Sequence, residues 1–148
     1  MSVLSVPTTA RSARTPRTVL VVEDDSMVRK AVEMLLEDNG FRVVTAVDGV
    51  DGLRKFRQTK PDIVLTDIIM PEKEGIALIR ELRRESPDVK IVAMSGSGRI
   101  GNMDFVSIAT ALGANAGLRK PFDDQQLVET LSAFFGSATD GSAPASAA

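Results

Sequence analysis

Short apolar runs alternate with stretches of helical periodicity along most of the chain. TVLVV at 18–22 is a continuous apolar run of strand length and reads as a buried strand. Over 26–39, Val28, Ala31, Val32, Leu35 and Leu36 share one helical face, and Gly40 follows as a stop signal. The alternation then repeats. Strands are predicted at 41–46, 62–66, 89–94 and 116–118, and helices at 50–59, 75–85, 103–112 and 123–135. Ile63, Val64 and Leu65 form the apolar centre of the third strand. Leu78, Ile79 and Leu82 mark the inner face of the third helix, and Leu127, Val128, Leu131, Phe134 and Phe135 that of the last.

Five consecutive strand–helix units imply an α/β fold, with a parallel sheet covered by helices on both faces. Right-handed crossovers leave few topologies. The expected one is a doubly wound five-stranded sheet of order 2-1-3-4-5. In it the first and third strands are neighbours where the winding reverses, and ligands bind beyond the carboxyl ends of the strands at that point.

Composition narrows the chemistry at that rim. The chain has 148 residues, 18 Lys+Arg against 20 Asp+Glu, and no His, Cys, Trp or Tyr. Without Cys there is no disulfide, thiolate zinc site or thiol nucleophile. Without His there is no Ser-His-Asp triad and no imidazole acid or base. What remains is carboxylates, hydroxyls, Lys, Arg and backbone, a set that suits hard cations with oxygen ligands. The net charge of −2 and the lack of stacking aromatics beyond six Phe argue against a nucleic-acid binder. No apolar run approaches the length of a membrane span, and no apolar h-region of a signal peptide is visible, so a cytoplasmic protein is expected. Residues 1–17 carry Arg11, Arg14 and Arg17 with no acid, and 137–148 are small and polar; both are expected to be disordered tails around a domain at 18–136.

The predicted strands are followed by Glu23-Asp24-Asp25, by Asp67, by Ser95-Gly96 and by Lys120-Pro121. Singly these are ordinary. An acidic run before a helix is usually a cap, which fits Asp25. Asp67 suits a turn, Ser95 a flexible loop and Lys120 solvated surface. Jointly they converge on one rim in the inferred topology. Three carboxylates there need protons or a cation, and Mg2+ meets that need while leaving waters for phosphate oxygens. Carboxylates with a divalent cation, a lysine and a hydroxyl make a phosphoryl-transfer site, and an aspartate is an available nucleophile.

VLVVEDD at 19–25, VLTDIIMPEKEG at 64–75, VAMSG at 92–96, ALGA at 111–114 and LRKPF at 118–122 together resemble the receiver domain of two-component response regulators, of the single-domain chemotaxis type. The resemblance spans the whole predicted core. It implies that Asp67 accepts a phosphoryl group from a histidine kinase or histidine phosphotransfer protein. It implies that Asp24 and Asp67 bind Mg2+ (or Mn2+) together with the backbone carbonyl of Ile69, with Glu23 acting through water. Ser95 and Lys120 would contact the phosphoryl oxygens, and the peptide before Pro121 would be cis. Such a domain is a phosphoacceptor rather than an enzyme acting on external substrates. It is expected to be a monomer or weak dimer that neither binds nucleic acid nor enters a membrane. The stretch after the last helix is short for a DNA-binding domain, so a stand-alone regulator acting on a downstream protein is expected. Phosphorylation would draw Ser95 inward and move the loop carrying Gly96, Gly98 and Gly101, whose glycines leave φ/ψ unusually free.

The sequence departs from the family where an aromatic or His is usual, three residues before Lys120: here it is Gly117. Phe105 is a candidate substitute for the missing ring. Gly117 also keeps open a receiver-like interaction module that is never phosphorylated. A literal G-x-G-x-x-G at 96–101 raises a dinucleotide site, although it follows the fourth strand rather than opening the sheet. A phosphatase with an aspartate nucleophile needs a second Asp two residues on, and position 69 is Ile.

Overall fold

The computed structural model describes residues 16–68, 74–96, 99–100 and 103–134. Both expected tails, apart from Pro16 and Arg17, lie outside these residues. In chain order the elements are β1 (Thr18–Val22), α1 (Ser26–Asp38), β2 (Arg42–Ala46), α2 (Gly49–Thr59), β3 (Ile63–Asp67), α3 (Glu74–Glu85) and β4 (Lys90–Ser95). Then come β5 (Arg99–Ile100), β6 (Met103–Asp104), α4 (Phe105–Leu112), β7 (Ala116–Arg119) and α5 (Asp124–Ser132). The main sheet is parallel with order β2-β1-β3-β4-β7, which is the doubly wound 2-1-3-4-5 arrangement.

The strands are apolar on both faces because helices cover both. Leu20 and Val22 of β1 enter one core with Phe56 of α2, Leu78, Ile79 and Leu82 of α3 and Ala109 of α4. Val19 and Val21 enter the other, with Val32 and Leu36 of α1 and Leu127 and Leu131 of α5. The same alternation runs through Ile63, Val64 and Leu65 of β3, all fully buried. Helix starts are fixed by side chains. Asp25 accepts from the Met27 and Val28 amides, and Asp123 forms a capping box with Gln126. Gly40, at φ +91, turns the chain out of α1.

Several expectations need correction. Ala31 is exposed, so the buried stripe of α1 is narrower than its apolar residues suggest. Asp67 and Ser95 are the last residues of β3 and β4, not the first beyond them. Helix α4 starts at Phe105, because Met103 and Asp104 pair antiparallel with Ile100 and Arg99. Gly101-Asn102 between the two strands is a sequence type of short hairpins, a turn signal that the helical reading of 103–112 overlooked. Arg99 and Ile100 are thus in a strand, and no helix opens directly on the glycine motif. That removes the strand–turn–helix context a dinucleotide site needs. Val128 is half-buried, and Phe135 lies outside the described residues. Among the described residues no helix is long and apolar enough to cross a membrane.

Opposite the carboxyl rim, Arg83 near the end of α3 holds the base of the fold. Its guanidinium donates to the carbonyls of Gly113, at 3.2 and 2.7 Å, and of Ser86, Pro87 and Val89, at 3.3, 2.9 and 2.8 Å. It also reaches Asn115 Oδ1, which in turn accepts from the Ile91 amide. A planar fork of donors ties three segments in a way that the single ammonium of Lys cannot. Arg83→Ala is therefore expected to cost about 2 kcal/mol, since several carbonyls lose a charged donor. Arg83→Lys is expected to recover only part of this, and urea denaturation of the three proteins measures both.

Candidate functional site at the carboxyl rim

The first carboxylates follow β1 directly. Glu23 is buried, with 1% of its surface exposed, although it is an acid. Its position is forced by pairing, because its amide donates to the Ala46 carbonyl at the end of β2. Both of its carboxylate oxygens are occupied. Oε1 accepts from Lys120 Nζ at 2.8 Å and Oε2 from the Asp25 amide at 3.1 Å. Asp24 beside it is exposed.

Asp67 arrives from the neighbouring strand, β3. It is buried, and its Oδ2 accepts from Lys120 Nζ at 2.9 Å. Its backbone is pinned from three sides. The Thr66 hydroxyl donates to the Asp67 carbonyl at 3.1 Å, and the Ile68 amide donates to the Met94 carbonyl at 2.8 Å. On the third side lies Gly75. A Cβ at that position would sit 2.2 Å from the Asp67 carbonyl oxygen and 2.6 Å from Ile68 Cα. Glycine here lets the start of α3 close directly onto the backbone of the aspartate.

Lys120 comes from the far side of the sheet, just after β7. Its amide donates to the carbonyl of Ser95 at 2.7 Å, which fixes the lysine to the end of β4. Ser95 itself is fully buried. The Lys120–Pro121 peptide is cis. The space in front of Gly96 is bounded by the lysine stem, 4.0 Å from where a Cβ would be.

The electrostatics follow from this packing. Burial pushes the Glu23 carboxyl up, against the opposing pull of the Lys120 hydrogen bond. For Lys120, burial acts to lower the ammonium's pKa, but the hydrogen bonds to Glu23 and Asp67 outweigh it and leave it raised. The lysine is thus held charged between two acids. One carboxylate oxygen each from Glu23, Asp24 and Asp67 lies within 4.8 Å of the others. Three carboxylates around one ammonium leave an excess of negative charge that a further cation would balance. The donors are all oxygen, and one of the acids faces solvent, so the set fits a hard divalent cation that keeps some of its waters.

The structure therefore gathers Glu23, Asp24, Asp67 and Lys120, with Ser95 and Gly96 on the adjoining strand end. Ile69, Gly98 and Gly101 lie outside the described residues, as does the side chain of Phe105. Gly117 sits in β7 opposite Ala93.

Sequence reading missed two contributors. Arg29 Nη1 donates to the Glu23 carbonyl at 2.8 Å and lies 3.5 Å from that of Asp24, so it braces the acidic loop from within α1. The available signal was its place one turn past the Asp25 cap, because helical side chains lean back toward the N-terminus. Gly75 had no signal beyond its presence in the 64–75 motif.

Residues 19–132 match the response regulator receiver domain family. The transcriptional regulatory protein CseB of Streptomyces coelicolor is 39% identical over 115 residues, 78% of this chain and 47% of CseB. The chain thus spans about half the length of that relative. The chemotaxis protein CheY of Treponema pallidum is 34% identical over 129 residues, 85% of this chain and 88% of CheY. Among solved structures, a response regulator receiver domain protein from Clostridium thermocellum superposes with a TM-score of 0.74 at 30% identity, over 83% of this chain and 97% of that one.

The contact at Gly75 gives a direct test of how the aspartate is held. Gly75→Ala is expected to destabilise the fold by about 1–3 kcal/mol, the range for forced overpacking. It should also shift the amide resonances of Asp67 and Ile68. An unchanged denaturation midpoint with unchanged shifts would show that the start of α3 does not bear on Asp67.

Proposed function

The chain belongs to the response regulator receiver domain family, and from that premise we propose that it is a phosphoacceptor of a two-component or phosphorelay pathway, with Asp67 as the accepting residue. The observation that carries this reading is the bridging of Asp67 and Glu23 by one half-buried ammonium, with Asp24 alongside. An aspartate fixed at a strand end, next to a cation site and a lysine, has the parts that phosphoryl transfer to a carboxylate requires.

In the proposed reaction an Asp67 carboxylate oxygen attacks the phosphorus of a phosphohistidine. The new O–P bond forms as the P–N bond breaks, and the histidine of the donor leaves with the bonding electron pair and takes up a proton. The donor is a histidine kinase or a histidine phosphotransfer protein. Asp24 and Asp67, with the Ile69 carbonyl, would hold Mg2+ or Mn2+, and Glu23 would act through a water. The metal, when bound, offsets the charge on the phosphoryl oxygens. Lys120 is already in place beside Asp67 and would exchange part of its contact there for a phosphoryl oxygen. Glu23 keeps that ammonium oriented through the change. Ser95 would donate its hydroxyl to a second oxygen.

The added group brings about −1.5 to −2 charges and three acceptors to a rim that already has an excess of acid. Movement of Ser95 and Lys120 toward it would pull on the ends of β4 and β7. The next elements are the β5–β6 hairpin and α4, and these form the proposed switching surface for a downstream protein. With Gly117 in β7, no ring at that position takes part.

Intact-mass analysis shortly after mixing with acetyl phosphate tests the proposal. One phosphoryl adduct is expected on the wild type with Mg2+, and none without the metal or on Asp67→Asn. An adduct that persists on Asp67→Asn would place the acceptor elsewhere. No wild-type adduct, and no beryllofluoride-induced NMR shifts at the rim, would leave the non-phosphorylated interaction module as the reading.

A further inference from the structure

The acidic loop between β1 and α1 is held at both ends and once in the middle. On the strand side the Glu23 amide donates to the Ala46 carbonyl at 3.1 Å, and on the helix side Asp25 caps α1. The middle contact comes from Arg29, whose Nη1 donates to the Glu23 carbonyl at 2.8 Å and lies 3.5 Å from that of Asp24. Arg29 stands on the first turn of α1, where its own amide donates to the Asp25 carbonyl at 2.9 Å. A rigid element therefore carries the guanidinium to the loop.

The choice of partner is informative. A guanidinium is well shaped for bidentate pairing with a carboxylate. Three carboxylates gather at this rim, yet Arg29 forms an ion pair with none of them among the described residues. It is half-buried and spent on backbone oxygens of the two acids that follow β1. Because the peptide unit is planar, fixing the Glu23 carbonyl also fixes the Asp24 amide, and so the frame from which the Asp24 side chain departs.

The two acids depend on that frame differently. The Glu23 carboxylate has anchors of its own, Lys120 Nζ at 2.8 Å and the Asp25 amide at 3.1 Å. Asp24 is exposed, and its carboxylate forms no ion pair among the described residues. Its place within 4.8 Å of the Glu23 and Asp67 oxygens is thus set by the loop backbone.

We infer that Arg29 is a positioning residue for cation binding, holding the 23–25 loop so that Asp24 meets Asp67 around a divalent ion. The inference rests on the proposed reading of Asp24 and Asp67 as metal ligands. Without the guanidinium, the ion would have to order Asp24 as it binds, and that ordering lowers affinity. The charge of Arg29 acts in the opposite direction. A nearby positive charge repels the cation, and salt screens it over about 8 Å at 0.15 M. Loss of Arg29 therefore tightens Mg2+ binding if its charge dominates and weakens it if positioning does.

Titration of the 15N-labelled full chain with Mg2+, followed by NMR at roughly 0.15 M salt, reads the sign. Arg29→Met keeps an unbranched stem and removes the donor. Its Mg2+ dissociation constant is expected to rise about tenfold, the lower end for residues that orient metal ligands. Arg29→Lys restores the charge and a donor on a shorter stem, and is expected to recover part of the loss. It also carries the test if Arg29→Met does not fold. Val32→Ala, buried on the next turn of α1, is expected to lower stability and leave the Mg2+ constant unchanged, which separates positioning from a general loosening of the helix. Mg2+ binding by Arg29→Met as tight as the wild type, or tighter, would overturn the inference. So would an equal loss in Val32→Ala. A wild type that binds no Mg2+ would overturn it together with the proposed metal site, whereas binding lost in Asp24→Asn and unaltered in Arg29→Met would overturn this inference alone.

Discussion

The organising constraint of this protein is one half-buried ammonium held between two buried carboxylates. Lys120 reaches Glu23 at 2.8 Å and Asp67 at 2.9 Å, and those three residues come from three separate strand ends. Removing charged groups from water is costly unless they are paired and hydrogen-bonded. The pairing meets that condition only if β1, β3 and β7 end at the same level. Strand register, loop length and the tight start of α3 at Gly75 all serve that alignment. Asp24 then places a third acid at the solvent edge, where the excess negative charge is open to a metal.

The rest of the fold separates rigidity from function along the strand direction. At the amino edge, Arg83 binds backbone carbonyls from two segments, 86–89 and Gly113, and locks α3 to the entries of β4 and β7. At the carboxyl edge, the contacts run through ionisable side chains whose partners can change. A parallel sheet suits this division, because every strand delivers its last residue to the same rim while the helices bury both faces.

Much of this was legible from the sequence. Continuous apolar runs at 19–22 and 63–65 marked strands covered on both sides, and the parallel topology alone predicted that Glu23, Asp24, Asp67 and Lys120 would meet. What was not legible has a common physical cause. Arg29, Gly75 and Arg83 act on backbone carbonyls, and a carbonyl carries no residue identity to read; Arg83 and Gly113 are also thirty residues apart. Ala31 fits the helical period but sits at the margin of the stripe, where exposure depends on how α1 is rotated against the sheet. Met103 and Asp104 have helical neighbours, yet antiparallel pairing with Arg99 and Ile100 claims their backbone groups first.

The central claim is that the rim carries more acid than its lysine balances and that a divalent cation completes it. Urea denaturation of the wild type and Asp24→Asn, with and without Mg2+, tests this most directly. Asp24 forms no ion pair among the described residues, so its substitution relieves repulsion without breaking one. The variant is expected to be the more stable protein without metal. Mg2+ should then stabilise the wild type in proportion to ligand occupancy and leave the variant nearly unchanged. A variant less stable than wild type without metal, and equally stabilised by Mg2+, would contradict the claim.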